Sequence, residues 1–223
     1  MENQEGGKPM LVGKRMTRNP LTTTPDTPVA EALNFMRREK VRRLPVIDKK
    51  GMLVGIVSEK DLLYASPSPV TSLSVWEIHY LLSKLEVSKV MTKEVITVTE
   101  HVPLEDAARI MADNKIGSLP VVRDGKVIGI ITETDLFKIF IELFGAREKG
   151  IRVTMLVPEV KGELAEITTE IAKRGGNIIS LGTFLGDDPT NRICAVKVEG
   201  IARDELVAAL EPLAQEVMDA REV

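Results

Sequence analysis

Apolar residues recur at Val29, Ala32, Leu33 and Met36, and again at Leu104, Ala107, Ala108 and Met111. The i, i+3, i+4, i+7 spacing places each set on one face of an α-helix. Thr27 before Pro28 suits the start of the first helix, because proline fits the first turn. Two short apolar runs follow, Leu44 to Ile47 and Leu53 to Val57, separated by a turn that ends in Gly51. They predict a pair of β-strands. In the second set the turn is Asp124-Gly125, which favours a tight hairpin. Upstream, Thr22-Thr23-Thr24 and Val95-Ile96-Thr97-Val98 are β-favouring and predict a further strand in each set.

The two stretches are copies of one unit. Met16-Thr17 recurs 75 residues on as Met91-Thr92, and the same offset carries Met36 to Met111, Lys40 to Lys115 and Leu44-Pro45-Val46 to Leu119-Pro120-Val121. After a one-residue deletion in the turn, an offset of 74 carries Gly51 to Gly125, Gly55 to Gly129, Glu59 to Glu133 and Asp61 to Asp135. Half-cores of this size are marginal alone, so the copies are expected to pack together as one pseudo-twofold domain.

Three further segments complete the chain. Asp135 to Phe144 is apolar nearly all round and holds three of the five phenylalanines. Such a helix needs cover on every side; burial within the chain and contact with a second copy are both open. Between the copies, Ser66-Pro67-Ser68-Pro69 breaks the pattern. A helix is then predicted with Val75, Ile78, Leu81, Leu82 and Leu85 on one face and Trp76, His79 and Tyr80 on or beside it. After Gly150 the order becomes strand (Arg152 to Val157), helix (Leu164, Ile167, Ile171), hairpin (Asn177 to Leu185, Arg192 to Val198), helix (Leu206, Leu210, Leu213) and a last strand at Val217 to Val223. That βαββαβ order predicts a ferredoxin-like unit in an α+β protein.

Composition narrows the function. Hydrophobic residues at 43% and charged residues at 28% are ordinary for a globular chain. A net charge of −3 provides no general field for nucleic acid. No apolar run approaches the roughly 20 residues of a membrane span. Met1 to Pro9 is polar and reads as a disordered tail rather than a secretion signal. The single cysteine, Cys194, excludes an internal disulfide and fits a reducing, cytoplasmic setting; it reads as a buried strand residue. The two histidines, His79 and His101, stand in unlike contexts, and no zinc, phosphate-loop or dinucleotide motif is present. No catalytic or metal constellation emerges, and a non-enzyme is expected.

The candidate chemistry lies in Gly55-Ile56-Val57-Ser58-Glu59-Lys60-Asp61 and Gly129-Ile130-Ile131-Thr132-Glu133-Thr134-Asp135. A hydroxyl followed three residues later by an acid is a helix capping box. The same geometry presents free N–H donors to a phosphate and a carboxylate to the vicinal hydroxyls of a ribose. Capping boxes favour Glu or Gln at the third position, so aspartate in both copies points toward a ligand.

With their Met-Thr, Leu-Pro-Val and Gly-x-x-[Ser/Thr]-x-x-Asp signatures, the two units resemble CBS repeats over residues 10–145. The resemblance implies two clefts that take AMP, ADP, ATP or S-adenosylmethionine as a regulatory ligand. It assigns Thr132 and Asp135, with Thr27, Val41 and Arg42, to one cleft, and Ser58 and Asp61, with Val102, Ile116 and Gly117, to the other. Arg37, Arg38, Lys40, Arg42 and Arg43 make the surroundings of the Asp135 cleft the more basic, so it is expected to prefer the more highly charged nucleotide.

Residues 150–223 resemble an ACT domain through Gly162-x-Leu164, Ile167-Thr168 and Gly176-Asn177-Ile178. That resemblance implies paired domains and an amino-acid site at Glu159, Gly162 and Asn177, although the expected Asp-x-Pro-Gly-like loop is replaced by Glu159-Val160-Lys161-Gly162. The whole arrangement is similar to acetoin-utilisation-protein-B-like (AcuB-like) regulators: tail 1–9, repeat 1 at 10–66, linker helix 67–88, repeat 2 at 89–145, ACT domain 150–223. It implies a homodimer formed through CBS helices or the ACT domain, and a regulated protein partner.

Overall fold

The apolar faces read from the sequence are the faces the two repeat helices bury. In the computed structural model, which describes residues 10–65 and 84–223, helix α2 (Val29–Glu39) buries Val29, Ala32 and Met36. Helix α4 (Leu104–Asn114) buries their equivalents Leu104, Ala107 and Met111. Each helix ends on a left-handed lysine, Lys40 at φ 55° and Lys115 at φ 53°. There the next amide, Val41 or Ile116, returns to the carbonyl of Met36 or Met111 and closes the last turn. The segment predicted as the linker helix lies outside the described residues up to position 83.

Strands β2 (Arg43–Ile47) and β3 (Leu53–Ser58) pair antiparallel with Leu44 opposite Val57 and Pro45 opposite Ile56. Strands β4 (Ser118–Arg123) and β5 (Lys126–Thr132) repeat that register with Leu119 opposite Ile131 and Pro120 opposite Ile130. Both ladders carry an irregularity at the same place, after Val46 and after Val121. Asp124 and Gly125 both adopt positive φ, 51° and 76°, as a two-residue hairpin turn of the primed type requires. The further strands predicted at Thr22–Thr24 and Val95–Val98 contract to single parallel bridges, Thr23 to Val46 and Val98 to Val121. Chain direction changes immediately after them, at Pro25 and at the turn before Leu104, so no ladder can grow.

The repeats exchange their leading segments. Helix α1 (Val12–Arg15) and strand β1 (Thr17–Arg18) open repeat 1, yet β1 pairs with β5 of repeat 2. In return Thr92 bridges Ile56 of repeat 1. The amide of Leu104 donates to the carbonyl of Met10 (3.0 Å), and that of Val29 to Leu85 (2.8 Å). Met91 lies on Gly55 and Met16 on Gly129; a Cβ on either glycine would meet the methionine Cγ at 3.0 Å. The repeated Met and Gly thus form one contact made twice. Val29, Ala32, Met36, Leu44, Val46, Val57, Leu62 and Val87 form the core of the first repeat.

The chain divides into two compact units, Met1–Leu136 and Phe137–Val223. The division falls inside helix α5 (Glu133–Leu143), earlier than the expected break between 145 and 150. The cause is what the chain after it touches. Phe144 stacks on Phe184 with ring centroids 5.8 Å apart, and its carbonyl accepts from Ser180 Oγ. The ammonium of Lys197, 4% exposed, donates to the carbonyls of Gly145 (2.8 Å) and Glu148. Helix α5 has no buried residue, and its Phe137, Phe140 and Leu143 are exposed.

In the second unit β6 (Ile151–Pro158), α6 (Glu163–Lys173), β7 (Asn177–Leu185), β8 (Asn191–Glu199), α7 (Arg203–Leu210) and β9 (Glu216–Glu222) follow the predicted βαββαβ order. The sheet runs β7-β8-β6-β9, antiparallel throughout. Alternate residues Val153, Met155, Val157, Cys194, Val196 and Val198 face Ile167, Ile171, Leu206 and Leu210 of the helices. No helix among the described residues is long and apolar enough to cross a membrane.

Candidate ligand-binding clefts

Both Gly-x-x-[Ser/Thr]-x-x-Asp motifs run from the end of a strand into the first turn of a helix. In the first, Asp61 Oδ2 accepts from the amide (2.8 Å) and hydroxyl (2.7 Å) of Ser58, and Ser58 Oγ accepts from the amide of Asp61 at 3.2 Å. This caps helix α3 (Glu59–Tyr64). Thr132 and Asp135 repeat the arrangement at 3.0, 2.8 and 3.4 Å. The capping reading of the motif is therefore realised at both places. Each aspartate also lines an open cleft, so capping does not exhaust what the carboxylates face.

The first cleft has a volume of about 460 Å³. It brings together Ser58 and Asp61 of repeat 1 with Ile116 and Gly117 of repeat 2, as expected. Thr92, Glu94, Val95 and Ile96 form a further wall, and Lys60 and Lys115 add positive charge. The second cleft, about 370 Å³, joins Thr132 and Asp135 with Val41 and Arg42, again as expected, and adds Lys40. Its further wall is Thr17, Asn19, Pro20 and Leu21. These four are the 75-residue counterparts of the first cleft's wall. Sequence reasoning missed both segments, although the Met16-Thr17 repeat marked where they begin.

Two expected members stand elsewhere. Thr27 lies at the start of α2, where its carbonyl accepts from the amide of Val87 at 2.9 Å and its hydroxyl contacts Thr24 Oγ1 at 2.9 Å. Val102, its counterpart, accepts from Val12 at 2.9 Å. Neither lines a cleft with an aspartate. The exchanged leading segments pair with the backbone at these helix starts, and Thr27 lines a separate cavity of about 610 Å³ with Thr22, Thr23, Thr24 and Arg38.

The basic asymmetry is also placed differently. Arg42 and Arg43 line both clefts, as does Glu133. Arg37 approaches Glu59 at 3.9 Å, and Arg38 pairs with Glu39 at 2.8 Å; neither lines the second cleft. A positive surplus particular to the Asp135 cleft therefore reduces to Lys40 against two acids, Glu133 and Asp135, beside the shared arginines.

In the second unit Gly162 adopts φ 96° before α6, and Glu159 pairs with Arg192. Asn177 Nδ2 donates to Glu199 at 2.7 Å. Pro158 is opposite Asn191 at one end of the eight-residue β6, whereas Asn177 is level with the other end. Roughly 25 Å of strand separates them at about 3.4 Å per residue. One copy of the chain does not bring Glu159, Gly162 and Asn177 together.

A family model described as CBS domain matches residues 12–68 and 87–142. A solved structure of a Vibrio cholerae protein assigned to acetoin utilization (AcuB) is 31% identical, with TM-score 0.52, covering 63% of this chain and 96% of that one. The CBS domain pair of protein MJ0100, in complex with 5′-methylthioadenosine and S-adenosyl-L-methionine, is 27% identical at TM-score 0.51 over 63% of this chain and 100% of that one. CBSX2 in complex with AMP is 38% identical at TM-score 0.50 over 60% and 97%. An inosine-5′-monophosphate dehydrogenase of Aquifex aeolicus is 37% identical over 125 residues, 55% of this chain but only 23% of the dehydrogenase. The shared part is thus a fraction of that enzyme's length.

Proposed function

Because the chain belongs to the CBS-domain family, we propose that it is a non-catalytic regulatory protein that binds an adenosine ligand in its two clefts. AMP, ADP, ATP and S-adenosylmethionine are the candidates. The observation that carries the reading is the pair of open clefts, each with a half-buried aspartate fixed by the hydroxyl and amide of Ser58 or Thr132. A carboxylate already held in place loses little freedom on accepting the hydroxyls of a ribose. Lysines at the left-handed helix ends, Lys40 and Lys115, give each cleft a cation for a phosphate. The complexes of related CBS pairs with AMP and with S-adenosylmethionine support the ligand class.

The bound state passes to the C-terminal unit or to a partner protein. The chain leaving the Thr132–Asp135 cap through α5 is the chain that Lys197 and Ser180 hold against the C-terminal sheet. That unit we read as an ACT-type module on its βαββαβ order and strand sequence. Pairing of two copies is the role we assign to it. The exposed apolar residues Phe137, Phe140, Leu143, Phe184 and Leu185 favour a covering partner. The second reading, an interaction subunit with idle clefts, rests on that same patch.

Calorimetric titration with AMP, ATP and S-adenosylmethionine separates the two. Saturable binding that Asp61→Ala and Asp135→Ala each weaken supports the sensor. No saturable binding of any of them at millimolar concentration rejects it.

A further inference from the structure

The pseudo-twofold relation between the clefts fails at the arginines. Arg42-Arg43 of repeat 1 correspond to Gly117-Ser118 of repeat 2. One repeat therefore supplies both guanidiniums, and both line the two clefts. Arg43 is half-buried and reaches across to repeat 2. A Cβ on Gly117 would collide with Arg43 Nη2 and lie 2.6 Å from Glu133 Oε2. The missing side chain at Gly117 is what lets Arg43 lie there, against Glu133. Glu59, the counterpart of Glu133, instead approaches Arg37 of its own repeat.

We propose that Arg43 couples the clefts, so that a phosphate-bearing ligand in one lowers the affinity of the other for a second. This rests on the adenosine-ligand reading above. A guanidinium holds a phosphate by paired, directional N–H bonds, so an Arg43 turned to the phosphate in one cleft is drawn from the other. Once engaged, it leaves Glu133, which also lines both clefts, without its neighbouring positive charge. The second phosphate then meets a carboxylate whose nearby guanidinium is already turned to the first. Both effects have the same sign. Each cleft keeps its own lysine, Lys115 or Lys40, so the second site is weakened rather than abolished. A ligand without phosphate engages neither Arg43 nor Glu133 and fills both clefts independently.

The test titrates the full chain with ATP and, separately, with the neutral probe 5′-methylthioadenosine. Asp61→Ala and Asp135→Ala first report each cleft with the other disabled. Coupling is the amount by which the second ATP step of the unaltered protein falls below the weaker isolated cleft. The expected shortfall is about tenfold, within the usual 5–150-fold range of coupled sites, and none for methylthioadenosine. Arg43→Met closes it. So does Gly117→Ser, which displaces Arg43 while keeping its charge and guards against a folding defect in the first variant; a thermal melt accompanies both. A second ATP step equal to the isolated cleft, or a shortfall that survives both substitutions, overturns the coupling. If both probes fill both clefts without a shortfall, only the coupling falls; if neither binds, the ligand reading falls with it.

Discussion

At the cleft beside Asp61 the opposite wall is Lys115-Ile116-Gly117-Ser118; beside Asp135 it is Lys40-Val41-Arg42-Arg43. The backbone around them is the same. Glu59 donates its amide to the Arg42 carbonyl at 2.9 Å, and Glu133 to Gly117 at 3.1 Å. The caps, ladders and left-handed helix ends also match copy for copy. Duplication thus preserved what the backbone needs, and the copies diverged where side chains meet the cleft. The pair has become an asymmetric device on a symmetric frame.

The largest expected effect breaks the clefts one at a time. Asp61→Ala should weaken binding only in the first cleft, and Asp135→Ala only in the second, each by ten- to a hundredfold. That corresponds to the roughly 1.5–3 kcal/mol of a hydrogen bond to a charged group. Loss at both clefts from one substitution would show that the cap, not the ligand contact, had failed, and thermal melts would register it.

Next is the frame itself. Gly55→Val and Gly129→Val push side chains into Met91 and Met16, and overpacking of this kind costs about 1–3 kcal/mol. Urea unfolding should show comparable losses for the two. A large difference between them would mean that the repeats are not equivalent even in their cores.

Smaller changes sharpen the contrast between strain and function at the helix ends. Lys40→Gly and Lys115→Gly relieve left-handed backbone, worth about 1 kcal/mol each. Both should raise the unfolding midpoint while weakening a phosphate ligand at the corresponding cleft. Stabilisation without a change in AMP or ATP affinity would remove the lysines from the site.

The last effect is an expected silence, from the other unit. Cys194 is fully buried, and burial, with Glu163 as a lesser cause, pushes its thiol up from 9.0 to about 11. The thiolate is the reactive form, so a thiol reagent at pH 8 should not modify the folded protein and should react once it is unfolded. Rapid native labelling would contradict the packing of the C-terminal sheet.

Much of this was legible along the chain. The repeat is covalent information, and the helices, ladders and caps follow from local spacing and turn chemistry, as Val29-Ala32-Met36 and Asp124-Gly125 illustrate. The residues after each repeat helix, Val41 and Arg42 or Ile116 and Gly117, fell into the clefts as expected. Thr27 and Val102 did not, because helix starts that look free in sequence are paired by segments far away: Thr27 with Val87, and Val102 with Val12. Likewise, a strand propensity at Thr22–Thr24 could not make a ladder without a partner that runs alongside it.

The sequence by itself determined the duplicated unit, its secondary structure, the capped aspartates and the βαββαβ order of the C-terminal region, since all of these depend on residues close together or related by a constant offset. Only the tertiary structure decided that the leading segments cross over, that Thr17–Leu21 and Thr92–Ile96 wall the clefts, and that Arg43 serves both of them. Those are outcomes of which surfaces meet in space, and a one-dimensional pattern carries no term for that.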